Sequence, residues 1–194
     1  MKRLLMLILS LFTLSLLGGC GYNSMQAAEE AVFAAWADVE ASYQRRADLI
    51  PNLVEVVKGY AKHEAETLKA VTEARAKVGS MQVSKDLVNN PQSLEKFQQA
   101  QGQLSGALSR LMVVVERYPD LKANQNFLDL QNQLEGTENR INVARVRYNK
   151  SVQDFNTSIR TFPNSMTNSL LLHLTRKEPF KAEEGAKVAP KVKF

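Results

Sequence analysis

The chain has one cysteine and two histidines among its 194 residues. A single cysteine excludes an intramolecular disulfide, and it excludes any metal site built on several thiolates. Histidine is scarce where chemistry would need it. HEAET sets His63 beside Glu64, but a zinc-protease helix needs a second histidine where Thr67 stands, and the other histidine is His173. There is no glycine-rich phosphate loop and no Gly-x-Ser-x-Gly elbow. Serine, aspartate and histidine occur, but no spacing groups them. The sequence therefore predicts a protein that is not an enzyme and holds neither metal nor cofactor. A basic stripe with interleaved aromatics is missing as well, which argues against nucleic acid as a partner. No apolar–polar alternation reaches useful strand length, so the expected fold is all-α.

Long apolar runs are confined to the first twenty residues. MKR is a basic start, LLMLILSLFTLSLL an apolar middle, and small residues follow. The run is shorter than the roughly 20 apolar residues a membrane span takes, and its order is that of an export signal. Leu17, Gly18, Gly19 and Cys20 resemble the bacterial lipobox. That resemblance implies diacylglyceryl transfer to Cys20, cleavage before it and acylation of the new amino terminus. The alternative is an ordinary secretory signal with an incidental cysteine. An exported chain with an odd cysteine needs a use for it, and lipidation is one. Each buried acyl methylene contributes about 0.8 kcal/mol, so two or three chains make a lasting anchor. Gly21 stands where aspartate would resemble an inner-membrane retention signal. The expected location is thus the outer membrane, facing the periplasm, if the cell has two membranes. Losing Lys2 and Arg3 with the signal lowers the net charge from +5 to about +3. Only the tail KVAPKVKF is locally basic.

The mature part reads as helices. After the stretch GYNSMQAAEE, apolar residues step by three and four through Trp36, Val39, Tyr43, Ile50, Leu53, Val57, Tyr60, Leu68, Val71 and Val78. Asn90 and Pro91 form a cap and first position for a second stripe ending at Tyr118. Asn124 caps a third, from Phe127 to Phe162, which Pro163 ends. The difficulty is DLIPN, residues 48–52. An unbroken helix from Ser24 to Val78 would be about 80 Å long, against about 40 Å for the helix from Asn90 to Tyr118. Proline costs about 3 kcal/mol inside a helix and is welcome at its start. A chain turn or strong kink near Pro51 is therefore expected, giving an antiparallel up-and-down four-helix bundle with long helices and an extended C-terminal tail. The domain reading is a signal peptide at 1–19, a lipid-anchored linker at 20–30, a helical bundle at 24–163, and an irregular segment and tail at 164–194. Phe180 and Phe194 are candidates to pin that tail to the body.

Polar residues on or beside the stripes are the candidate interaction residues. They are Arg45, Arg46, Asp48, Pro51, Asn52 and Lys58 in the first long segment, with His63 and Glu64 after it. In the last helix they are Glu135, Gly136, Glu138, Asn139 and Arg140, around Thr137. Two readings stand. They form charged pairs in the bundle core or rim, or they line a groove for a ligand or another protein, with Gly136 admitting close approach of a neighbour. In an up-and-down bundle broken at Pro51, Arg46 falls near Asp129 or Asp120, so a pair with one of these acids is expected.

Three segments together resemble the LemA family: GYNSMQ, QRRADLIPNLVEVVKGYAKHEAETLKAVTEARAKV, and YPDLKANQNFLDLQNQLEGTENRINVARVRYNKSVQDFN. The tail EPFKAEEGAKVAPKVKF resembles the family's ending. The resemblance implies a helical bundle on the outer side of a membrane and a TPM-domain membrane protein as partner. Two features depart from the family pattern, the lipobox in place of a transmembrane helix and the segment NSLLLHLTRKEPF. The function expected is a non-enzymatic envelope scaffold or binding protein. The alternatives are a carrier of a small apolar ligand between the helices, and a hydrolase or metalloprotein using His63 and Glu64.

Overall fold

The computed structural model describes residues 21–81 and 85–181. The expected signal peptide at 1–19, the expected attachment residue Cys20, and residues 182–194, with Phe194, lie outside the described residues. The fold is all-α, with no strand among the described residues. In chain order the helices are α1 (Tyr22–Tyr60), α2 (Ala65–Gly79), α3 (Lys85–Asn89), α4 (Pro91–Val115), α5 (Pro119–Lys122), α6 (Gln125–Ser158) and α7 (Asn164–Thr167). A π-helical turn, Asn168–Leu172, follows α7. The expected caps are in place. The Asn90 side chain accepts from the amides of Gln92 and Ser93, and that of Asn124 accepts from the amide of Phe127. No helix among the described residues is long and apolar enough to cross a membrane.

Two expectations are corrected. The stretch read as a linker is already helical from Tyr22, because Met25 is fully buried. The chain does not turn at Pro51, which lies inside the 39 residues of α1. Proline has no N–H, so the carbonyl four residues back, that of Ala47, loses its helical donor. Arg75 on α2 supplies the replacement, with its Nε 2.9 Å from the Ala47 carbonyl oxygen. The long partner of α1 is not the helix that ends at Tyr118. α1 pairs with α6, which has 34 residues, so its apolar stripe is covered along its length. The chain reverses ten residues later, at Ala61–Glu64, where a backbone bond from Ala61 to Val57 (2.8 Å) closes the helix.

α1 and α6 run antiparallel. Tyr60 meets Asn124, Arg46 meets Glu138 and Trp36 meets Tyr148 in turn. α2 folds back on the C-terminal half of α1, and α4 returns along α2, as the bond from Lys77 to Gln103 shows (2.9 Å). The core divides into two clusters. One joins Leu53, Val57, Val71, Leu104, Leu111 and Phe127 in the half that α2 covers. The other joins Met25, Val32, Trp36, Phe97, Tyr148 and Phe155 in the opposite half.

The second cluster is closed by the C-terminal segment rather than by α2. Phe180 is buried and stacks on Trp36 at 5.9 Å between centroids. Asparagine amides on α6 hold the segment. Asn156 accepts from the Lys177 amide (2.9 Å) and donates to its carbonyl (2.8 Å). Asn149 does the same for Phe180, at 2.8 and 3.2 Å. The spacing explains the fit: seven helical residues rise about 10.5 Å, and three extended residues span about 10 Å. Lys177 is buried against Glu29 (2.7 Å), Asn89 and the rings of Phe33 and Phe155. Phe180 thus pins the segment as expected.

Candidate functional site

The two core clusters meet at a polar layer formed by α1, α4 and α6. Its centre is Arg46, which is 1 % exposed. One Nη reaches Glu138 (2.6 Å) and the Ser105 hydroxyl (2.9 Å), and the other donates to the side-chain oxygen of Gln101. The guanidinium also lies 5.1 Å from the centre of the Tyr43 ring. A buried charge persists only when it is paired and its donors are used, and the fork geometry of arginine suits three acceptors on two helices. The expected pairing with Asp129 or Asp120 is corrected. An unbroken α1 carries Arg46 to the middle of α6, where Glu138 stands, rather than to its start. A cavity of about 80 Å³ adjoins this layer, bounded by Arg46, Gln101, Ser105, Glu138 and Asn142. The Nε of Arg46 and the amide nitrogen of Gln101 have no hydrogen-bond partner among the described residues. That volume suits a few waters, and is well below the few hundred cubic ångströms of a small-molecule pocket.

On the outer side of the same helix pair lies a surface groove of about 520 Å³. Arg45 comes from α1, and Asn139, Arg140 and Arg147 from α6, over a floor of Ala41 and Ala144. All three arginines are exposed, and among the described residues none forms an ion pair. Asp38 at one edge is the acid of the groove. The segments QRRAD and EGTENR, far apart in sequence, therefore converge twice. Arg46 and Glu138 meet inside, and Arg45, Asn139 and Arg140 gather outside.

The other candidate residues are scattered. Thr137 is buried and returns its hydroxyl to the Gln133 carbonyl (2.7 Å). Nothing lies within 4 Å of the place a Cβ on Gly136 would take, so no neighbouring helix uses it for close approach. Glu135 accepts from Gln131, and Asp48 from Gln44, both along exposed helix surface. Asn52 is exposed, and Lys58 pairs loosely with Glu55 (3.6 Å). His63 is exposed in the α1–α2 turn. Glu64 beside it is occupied elsewhere, accepting from Arg117 (3.0 Å) and from the Tyr118 hydroxyl (3.1 Å). Burial first, and then the bond to Glu64, hold the Tyr118 hydroxyl above its ordinary pKa. No metal-binding group of three or more His, Cys, Asp or Glu occurs among the described residues.

The family model for LemA matches residues 35–194. The chain belongs to the LemA family. Protein LemA of Metamycoplasma hominis is 26% identical over 140 residues, covering 72% of this chain and 60% of that protein. The magnetosome protein MamQ of Magnetospirillum gryphiswaldense is 27% identical over 158 residues, covering 73% and 58%. The magnetosome protein MamQ 1 of Paramagnetospirillum magneticum is similar to the same extent. This LemA-family chain thus spans about three fifths of the length of the curated relatives it matches. The match takes in Arg46 and Glu138 of the polar layer, and the arginines of the outer groove. Asn149, Asn156 and Lys177, which join α6 to the C-terminal segment, are not among the residues that the sequence singles out. The available signal was the asparagine repeat at 142, 149 and 156 on the flank of a helix stripe.

Proposed function

We propose that this LemA-family protein is a lipid-anchored, non-enzymatic scaffold of the cell envelope that binds another envelope protein. Cys20 carries the acyl chains in this reading. In a cell with two membranes the protein faces the periplasm from the outer one, and a TPM-domain protein is the partner to try first. The half containing α2 is read as an up-and-down bundle of α1, α2, α4 and α6. The observation that carries the reading is the outer groove. Three arginines stand there without an acid partner among the described residues, positioned by a helix pair that the Arg46–Glu138 contact holds in place. Such a surface suits carboxylate side chains of a partner, which arginine can bind in bidentate fashion. The ligand-carrier reading has no comparable support, because the cavity enclosed between the helices is about 80 Å³.

The test is site-specific photocrosslinking in living cells, with the probe at Arg45, Arg140 or Val143 and, for comparison, at Lys62 in the far turn. A defined adduct from the groove positions is expected, and the adduct from the Val143 probe should be lost in the Arg45→Glu/Arg140→Glu variant. Equal labelling from all positions, or no adduct from the groove, would refute the proposal.

A further inference from the structure

One end of the molecule combines the start of the described chain with a cluster of exposed large apolar side chains. Gly21 lies against Asn164, so close that a Cβ on Gly21 would stand 1.9 Å from the Asn164 side-chain oxygen. Its φ of 99° also favours glycine. The segment beside it exposes Phe162 (72%), Met166 (55%), Leu170 (71%) and Leu171 (62%). Met166 and Leu170 are one helical turn apart and so share a side. The opposite side of the same segment faces inward, with Thr167 buried and Leu172 packed on the core. This segment therefore has an amphipathic shape whose apolar side is left exposed by the described residues. Arg160 and Arg176 are exposed at its margin, where both border one groove.

We propose that this end is a membrane-contact face, with a phospholipid bilayer as its occupant. Phe162, Met166, Leu170 and Leu171 enter the boundary between headgroups and acyl chains, and Arg160 and Arg176 meet the lipid phosphates. The proposal rests on the reading of Cys20 as the acylated residue. Cys20 precedes Gly21 directly, and consecutive Cα atoms lie about 3.8 Å apart, so acyl chains there hold this face at the bilayer surface. An apolar centre with a basic margin is the pattern of interfacial segments. Tethering raises the local concentration of lipid, so the patch needs little affinity of its own. The patch adds what the anchor lacks, a fixed orientation. A lipid chain alone lets the body swivel. A second contact stands α1 away from the surface, and it lifts the Arg45 groove about 35 Å above the membrane at 1.5 Å per residue.

The test uses the full acylated chain in vesicles of phosphatidylcholine with phosphatidylglycerol. A fluorophore sensitive to polarity is placed at Ser169→Cys or, in the far turn, at Lys62→Cys. The expected result is blue-shifted emission at position 169, quenched several-fold by lipid-borne quencher, and aqueous emission at 62. A water-exposed label at 169 would overturn the proposal. So would a quenched label that persists in the Met166→Glu/Leu170→Glu/Leu171→Glu variant, because contact would then not depend on the patch. Mass spectrometry of the N-terminal peptide reports acylation separately. If Cys20 is unmodified the anchor reading fails, and the patch is judged by the same labels on unacylated chain added to vesicles. Insertion of 169 then upholds it, and an aqueous signal removes it.

Discussion

Replacing Arg75 with methionine should destabilise the protein only as long as Pro51 is present. Methionine keeps much of the side-chain bulk and removes the donor. The Nε lies 2.9 Å from the Ala47 oxygen, and a hydrogen bond from a charged group contributes about 1.5–3 kcal/mol. Arg75 is half-buried, so water replaces part of the loss, and we expect a cost of about 1–2 kcal/mol. Pro51→Ala alone should stabilise by about 1–3 kcal/mol, since proline costs about 3 kcal/mol in a helix interior. In that background the new N–H at position 51 reaches the Ala47 carbonyl, and Arg75→Met should cost under about 0.5 kcal/mol. The double-mutant cycle should therefore return a coupling of about 1 kcal/mol. Urea unfolding followed by far-ultraviolet circular dichroism supplies the four free energies. Equal costs of Arg75→Met with and without the proline would show that Arg75 does not compensate Pro51.

Three further outcomes follow from the described contacts. Arg46→Ala should cost about 3–5 kcal/mol in the same unfolding assay, because it strips Glu138, Ser105 and Gln101 of their common donor; a loss under about 1 kcal/mol would mean the layer is solvated. Asn156→Leu removes both bonds to Lys177, roughly 2 kcal/mol, so trypsin should cut after Arg176 or Lys177 many-fold faster while the helices stay intact. Tyr148 donates to the Glu178 carbonyl (3.0 Å), and burial, followed by the charge of Glu178, raises its pKa well above the ordinary value near 10. The neutral form is favoured in the folded state, so the stability from this group is complete below about pH 10 and falls as the pH rises beyond it. Tyr148→Phe should flatten that alkaline decline in unfolding midpoints, and an unchanged slope would count against the assignment.

The helical stripes could be read in the sequence because burial repeats every three to four residues, and the caps Asn90 and Asn124 are local chemistry. Pro51 was misread for a physical reason. The missing N–H is visible in sequence, whereas the donor that replaces it stands on another helix, at Arg75. Once the turn was put at Pro51, the register of α1 against α6 was lost, and Arg46 was matched to Asp129 or Asp120 instead of Glu138. The real reversal, at Ala61–Glu64, carries no proline, and its nearest glycine is Gly59, so it left a weak signal. Lys177 is an ordinary tail lysine in sequence. Its burial depends on Glu29, Asn89 and two rings that only the fold brings together.

The stacking of Phe180 on Trp36 has a consequence for how the chain matures. Chains are made from the N-terminus, so Trp36 emerges well before Phe180, which covers it. Contacts so distant along the chain close slowly. The other half, built from the end of α1 with α2 and α4, can gather from nearer neighbours. Folding should thus begin in the half that α2 covers and finish at the Trp36 cluster. A chain that stops short of Phe180 leaves the Trp36 cluster open, and that wet apolar surface is what proteases and chaperones recognise. The C-terminal segment therefore closes the fold by capping the Trp36 cluster, and a chain truncated before Phe180 should be digested faster than the full chain in a protease time course.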